Sequence, residues 1–485
     1  MLHSLRALGF LLVAMFGATL ASAQITFTQT AISSGDTTTN SVVAADFNND
    51  GILDLVSINT STLSFYKGLG GGSYASPIRQ SIPINLGQVV VADFSRHGTP
   101  DLAIASAQGI IILIGNNNGT FTQGTNINIG GSAQSIALAD FNGDHLPDIV
   151  VSICPAGAAP CSSAVYLGQG NGLFSLSSTL TDGGGAVAAG DFNADGHQDF
   201  AVVSGNEVAL YLGNGNGLFQ APILANLNDV TALAVGDFYN NRIQSLAALT
   251  STALGAGNFE TQLFSLRYSA GSLLVENQHV LQASTGDPYG FIAGGDLNGD
   301  FNDDVFLTSD IISGGGSPAP QLAAYLLGNG NGTFQTAVSV PMAHQFPILP
   351  FIRDLDGDSR HDVGLAWTDR STTPTSGGVD LLHNTNATTN CSLPPAGQLV
   401  VHICAPASNG QIVGQTFTFQ GSGNALNGIA KRMELWIDGK KVAQNLEDQL
   451  KASVTLTRGT HTASFVVVDS FDNHTSGSVS FTAQF

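Results

Sequence analysis

Apolar residues in this chain fall in short runs, each stopped by glycine, asparagine or aspartate, and the runs recur in a fixed order. A run of small residues ("SVVAAD", "SIALAD", "AVAAGD", "ALAVGD") leads into an acidic stretch, and a second run ("DLVSI", "DIVVS", "DFAVV") leaves it. A third run ends in a glycine turn, "LGQGNGLF", "LGNGNGLF" or "LGNGNGTF", and a fourth, less regular run comes after it. Short apolar runs bounded by turn residues predict β-strands, four to a unit.

The first aspartate of each acidic stretch is Asp46, Asp93, Asp140, Asp191, Asp237, Asp296 and Asp354, at steps of 47, 47, 51, 46, 59 and 58 residues. Four-stranded units at this period match the blades of a β-propeller. Alanine and glycine in the first strand suit the crowded axis of such a ring. Residues 25–32, "ITFTQTAI", resemble the segments after the glycine turns, such as "GTFTQGTNINI", and the seventh unit stops at a third strand, "VDLLHNTN". The N-terminal strand is therefore expected to complete the last blade, removing exposed edges. Unit three carries an insertion between Val151 and Val165, and units five and six are long. Such loops, with Trp367 and Tyr289, are candidate partner contacts, weighed against plain packing and loop growth.

After residue 384 the texture changes. Residues 385–397 read as a linker, and 398–485 show strand patterns without the acidic stretch, including a hairpin turn at Asp438-Gly439. About seven strands in a segment of this length suit an immunoglobulin-like sandwich. The expected fold class is all-β: a seven-bladed β-propeller over 24–384 with acidic hairpin loops, followed by an Ig-like β-sandwich. Residues 1–23 read as an export signal, with Arg6 before "LGFLLVAMFGATL" and small residues at "ASAQ". That apolar run is too short to span a bilayer, which needs about 20 residues, and no transmembrane segment is expected elsewhere. The chain is thus expected to be secreted or held at the cell surface, with the periplasm open.

In an oxidising compartment the pairs Cys154/Cys161 and Cys391/Cys404 read as local disulfides, with buried free thiols as the alternative. The chain has a net charge of −21. Residues 24–390 hold thirty acidic and eight basic residues, Lys67 being the one lysine, while 391–485 are balanced. Nucleic acid is excluded as a partner of so acidic a domain.

The acidic stretch "DFNNDGILD" places oxygen donors at positions 1, 3, 5 and 9, with a backbone carbonyl at 7. A calcium ion takes six to eight such hard oxygens. Unit one offers Asp46, Asn48, Asp50, the Ile52 carbonyl and Asp54. Unit three offers Asp140, Asn142, Asp144, Leu146 and Asp148, and unit four Asp191, Asn193, Asp195, His197 and Asp199. Unit six offers Asp296, Asn298, Asp300, Asn302 and Asp304, and unit seven Asp354, Asp356, Asp358, Arg360 and Asp362. Leu146, His197, Asn302 and Arg360 enter, like Ile52, through their carbonyls. Unit two substitutes Ser95 and His97, and unit five keeps Asp237 and Asn241, so about five ions are expected. Glycine holds position 6 at Gly51 and Gly196, whereas His145, Phe301 and Ser359 stand there in other loops, which predicts strain. Carboxylates this close repel unless compensated, which favours a metal over simple Asp/Asn turns.

This pattern, D-x-[DN]-x-D-G-x-x-D between two strands and paired with "LGNGNGTF", resembles the FG-GAP/VCBS repeat family, whose relatives include the propellers of integrin α-subunits. The resemblance covers residues 25–384 and implies calcium held in hairpin loops on one face for rigidity, with partners on the opposite face. The C-terminal part resembles bacterial Ig-like modules. No GxSxG or HExxH occurs, and the "GNGNG" turns lack the ending of a phosphate loop. The expected function is a calcium-binding adhesion or binding module for a protein or glycan partner. The alternatives are an enzyme acting on extracellular polysaccharide, a lyase or hydrolase, and an envelope-assembly scaffold.

Overall fold

A computed structural model describes residues 24–82, 86–156, 160–255, 258–285, 289–309, 323–344, 347–358, 360–369, 375–386, 400–405, 411–413, 416–424, 430–445, 449–469 and 473–484. Residues 1–23, 310–322 and 387–399, where the expected export signal, most of the unit-six insertion, Cys391 and most of the expected linker fall, lie outside these residues. Strands account for all the regular structure among them.

Seven four-stranded antiparallel sheets succeed one another along residues 27–384. Their first strands are Ser41–Ala45, Leu86–Ala92, Ser132–Ala139, Val187–Gly190, Val230–Gly236, Tyr289–Gly295 and Pro347–Arg353. Each first strand touches the first strand of the next sheet, and the seventh touches the first, so the circuit is closed. Strand Phe27–Ser33 pairs antiparallel with Ser376–Asn384, from Phe27 opposite Asn384 to Ser33 opposite Gly378. The last blade thus takes its outer strand from the start of the array. We call the sheets blades 1 to 7 in the order of their first strands.

The core is divided among the joints between blades. Val56, Phe65, Leu102 and Leu113 share one cluster between blades 1 and 2, and Val42, Tyr66, Ile348 and Val379 share another between blades 1 and 7. Five further clusters fill the remaining joints. Sheets packed face to face in this way bury both surfaces, which is why the second strands read as unbroken apolar runs. The two repeated motifs meet at these joints. Phe47 packs edge-on against Phe121 of the next blade, and Phe94 against Phe174, Phe141 against Phe219 and Phe238 against Phe334 repeat the contact. Beside three of these pairs a glycine of the turn donates its N–H to the phenylalanine carbonyl: Gly172 to Phe94, Gly217 to Phe141 and Gly332 to Phe238.

The long unit five is an extension of the sheet itself, with strands Ser245–Gly255, Asn258–Ser269 and Ser272–Thr285. The unit-three insertion is closed by a Cys154–Cys161 disulfide. Cys404 is also disulfide-bonded, and its expected partner Cys391 lies outside the described residues. Trp367 and Tyr289 are buried, so neither offers a surface to a partner. Residues 400–484 form a three-stranded and a five-stranded sheet around one core that includes Phe419, Met433, Phe465 and Phe481. The Asp438-Gly439 turn joins two of its strands, with Ile437 opposite Lys440.

Candidate metal centres

Each acidic stretch is the hairpin between the first and second strands of its blade, so all seven lie at the same end of the ring. The backbone turns left-handed at the fourth position of each hairpin and at the sixth in blades 1 to 6; Ser359, the sixth of blade 7, lies outside the described residues. In blade 1 these are Asn49 (φ 55°) and Gly51 (φ 82°), and in blade 4 Ala194 (φ 60°) and Gly196 (φ 89°). In blades 3 and 6 the glycine moves to the fourth position, Gly143 and Gly299, and His145 (φ 63°) and Phe301 (φ 67°) carry the strain at the sixth. The hairpin of blade 5 has glycine at neither, with Asn240 and Arg242 in the left-handed region.

The first and ninth carboxylates organise the loop. Asp46 accepts from the N–H groups of Asp50 (3.1 Å) and Gly51 (2.8 Å). Asp140, Asp296 and Asp354 hold the same turn, with bonds of 2.7 to 3.2 Å from Gly143 and Asp144, Gly299 and Asp300, and Gly357 and Asp358 respectively. Asp191 accepts from Gly196 at 3.0 Å. The ninth carboxylate bridges outward. Asp54 accepts from Phe47 N–H (3.0 Å) in the loop and Gly68 N–H (2.7 Å) after the third strand. Asp148, Asp199, Asp304 and Asp362 repeat this clasp, and Asp101 keeps it in blade 2 with Ser95 and Gly115. In blade 5 the Ser245 hydroxyl takes the ninth place and receives Phe238 N–H at 3.2 Å.

The third and fifth positions stay at the surface. Asn142, Asn193 and Asn298 donate their amide N–H to Asp144, Asp195 and Asp300, and Asn48 donates to Asp54. The backbone N–H groups of Ile52, Leu146, His197, Asn302 and Arg360 donate to the fifth-position carboxylates, so the seventh residue is held in place by its neighbour. A lysine and an arginine pair with fifth-position carboxylates: Lys67 Nζ lies 3.0 Å from Asp50, and the Arg360 guanidinium binds Asp358.

The predicted sets are brought together unequally. Oxygens of Asp354, Asp356 and Asp358 lie within 4.8 Å of one another, as do ligand atoms of Asp356, Asp362 and His383. The trio Asp93, His97 and Asp101 converges equally in blade 2. Among the described residues the other four sets do not bring three ionisable ligand atoms that close. Their first and ninth carboxylates turn onto backbone N–H groups, and their third position is an amide. Every donor in the five sets is nonetheless a carboxylate, amide or carbonyl oxygen, the chemistry a hard divalent cation takes. Turning the Asn48 or Asn142 amide over would present its oxygen in place of its nitrogen. The residues fit such an ion.

The electrostatics agree with that fit. Burial pushes the Asp54, Asp148 and Asp199 carboxyls up to about 7, and their neighbouring carboxylates push the same way. Burial likewise raises Asp296 to about 6 and Asp304 well above the usual range, and again nearby carboxylates add to it. Holding several buried carboxylates ionised at one end of a ring calls for positive charge among them.

One set of residues carries no signal in the repeat. The eighth position of three hairpins reaches back to the preceding blade. Gln244 accepts from Asp191 N–H (2.7 Å), Asp303 accepts from Asp237 N–H (2.5 Å), and His361 Nδ1 donates to the Asp296 carbonyl (2.8 Å). The three residue types differ, and what they share is a target in another blade.

A family model described as FG-GAP-like repeat matches residues 46–104, 93–151 and 191–246. The chain thus carries FG-GAP-like repeats, and they fall within its ring of four-stranded sheets. No curated protein matches it. Among solved structures it is similar to a lectin from Agrocybe aegerita described as recognising non-reducing terminal N-acetylglucosamine. That pair shares 14% identity over 65% of this chain and 80% of the lectin, with a TM-score of 0.44. It is also similar to BBS1N solved in complex with ARL6DN, at 11% identity over 74% of this chain and 96% of that one, with a TM-score of 0.45. Fibronectin(III)-like modules of Clostridium thermocellum CbhA match 18% of this chain and 96% of their own at 22% identity, with a TM-score of 0.16. TM-scores this low carry no argument about a ligand.

Proposed function

We propose that this chain is an exported, calcium-stiffened β-propeller that binds a glycan or protein partner on the face opposite its acidic hairpins. The observation that carries the reading is the gathering of buried, mutually repelling carboxylates at one end of a closed ring, in register with FG-GAP-like repeats. Calcium would be held by the oxygen sets of blades 1, 3, 4, 6 and 7. Its role there is to neutralise carboxylates and fix the hairpins, leaving the other end for recognition. The Cys154–Cys161 disulfide supports an oxidising compartment. The C-terminal sandwich, read as Ig-like, serves as spacer or second contact.

The test is retention of the full chain, without its first 23 residues, on a glycan array and on immobilised envelope proteins, with calcium and after chelation. Saturable retention that needs calcium is expected. Absence of retention by folded, calcium-loaded protein overturns the reading.

A further inference from the structure

A cavity of about 580 Å³ lies on the axis of the ring and is lined by all seven blades, from Asn40–Val43 of blade 1 round to Ile348–Phe351 of blade 7. Its lining comes from the starts of the first strands, whereas the acidic hairpins lie beyond their ends. The cavity therefore belongs to the end of the ring away from the carboxylates.

Three observations describe what it would take. The first is charge: among the described residues the lining contains no acidic, basic or histidine side chain, in a domain rich in carboxylates. A charged ligand would lose its hydration and find no counter-charge. The second is polarity. Gln88, Gln134, Ser135 and Thr231 line the cavity together with Phe291 and Phe351. Ser135, Thr231 and the Gln88 oxygen already bond within the protein, so the remaining amide N–H groups and hydroxyl lone pairs are what a ligand would meet, and a wholly apolar one would leave them unmatched. The third is the backbone. Five of the seven first strands break register within or beside the lining: between Leu86 and Val89, Ala133 and Ser135, Val230 and Ala232, Tyr289 and Phe291, and Ile348 and Phe351. Bulges re-aim side chains and release backbone groups from the ladder, and they concentrate beside binding sites. Here they place Gln88, Gln134, Thr231 and Leu349 at the axis, and Leu349 itself is left-handed, with φ of 47°. Bonds between blades stiffen this end: Val89 N–H donates to Ser41 Oγ (3.3 Å), and Ser135 Oγ (3.2 Å) and Ile136 N–H (3.1 Å) donate to Gln88 Oε1.

From these we propose that the axial cavity is the binding site for a short, uncharged saccharide, held by amides, hydroxyls and bulged backbone and flanked by the two phenylalanine rings. The volume lies within the range of small-molecule sites, about 300–1,000 Å³, and holds roughly 20 waters at about 30 Å³ each. A pyranose offers hydroxyls to the amides and C–H faces to the rings, and carries no charge. The proposal rests on the reading of the propeller as a binding module and assigns the ligand class and its seat.

The experiment is calorimetric titration of the calcium-loaded full chain with maltose, cellobiose, lactose and N,N′-diacetylchitobiose, and with digalacturonate as a charged counterpart. Saturable binding of at least one neutral disaccharide is expected, with no binding of digalacturonate. Gln134→Trp and Thr231→Trp, which fill the cavity, are expected to weaken that binding by about tenfold or more. Thermal unfolding shows which variants are folded, and either one suffices. Lack of binding by every neutral disaccharide overturns the proposal, as does undiminished binding by a folded cavity-filling variant. If wild type and filled variants are retained alike on the glycan array or envelope proteins, the axial site falls and the binding-module reading stands. If wild type is retained nowhere, both fall.

Discussion

The Asp199 carboxylate receives the Gly213 N–H at 2.8 Å, a bond that ties the acidic hairpin of blade 4 to the end of its third strand. Its other oxygen receives Phe192 N–H at 2.9 Å. The ninth residue of the hairpin is thus a backbone clasp. Asp199→Ala leaves two buried N–H groups without a partner and is expected to cost about 3 kcal/mol in the presence of chelator. Asp195→Ala, at an exposed position, is expected to change the chelated protein by less than about 1 kcal/mol while abolishing calcium stabilisation of that hairpin. Denaturant unfolding with and without calcium separates the two roles. Equal losses in chelator would refute the clasp.

The raised carboxyls set a pH dependence with a definite sign. Asp54, Asp148 and Asp199 titrate near 7 in the folded, metal-free chain because burial and neighbouring carboxylates disfavour their charge. The folded state therefore binds more protons than the unfolded one between about pH 4, where ordinary carboxylates titrate, and about pH 7. Their contribution is fully present below that window and is lost as the pH rises through the folded value. The chelated protein should melt at a higher temperature at pH 5.5 than at pH 8, and saturating calcium should flatten or reverse the trend. Thermal scans across that range decide it, and a chelated protein that gains stability toward pH 8 would sink the argument.

Lys67 on Asp50 and Arg360 on Asp358 place a fixed cation where a metal would be held. Lys67→Ala is expected to raise the calcium affinity of the blade 1 hairpin several-fold, since it removes a like charge at ion-pair distance. Arg360→Ala should do the same in blade 7. Calcium titration of the variants against wild type provides the check, and unchanged or weaker affinity counts against these sites.

A Cβ built on Gly196 meets nothing within 4 Å, so its φ of 89° is the whole constraint there. Gly196→Ala is expected to cost about 1–2 kcal/mol through backbone strain alone. Gly196→Asn should cost less, because asparagine tolerates the left-handed region. Unfolding of the two variants in one denaturant series tests the order.

The repeat made most of this architecture legible: strand, acidic hairpin, strand, glycine turn and the shared last blade are all written in local pattern. The glycine at the sixth position was only half of a rule, since the fourth position turns left-handed too and either place can take the glycine. Gln244, Asp303 and His361 were out of reach because each acts on a different blade, and unrelated side chains meet the same need. The same holds for His344, stacked on Trp367 at 3.8 Å and bonded to Asp380 at 3.0 Å across blade 7. The axial cavity was equally hidden. It is made by register breaks in first strands whose sequences look regular, and a one-residue bulge leaves little trace in an apolar run.

The pairing of Phe27–Ser33 with Ser376–Asn384 also fixes an order of events during biosynthesis. The first strand to leave the ribosome must wait for the last residues of the array before it has a neighbour, roughly 20–70 s at about 5–20 residues per second. Until then the outer edge of Ser376–Asn384 has no strand to pair with. The pairing of Phe27–Ser33 with Ser376–Asn384 then completes the seventh sheet and with it the ring.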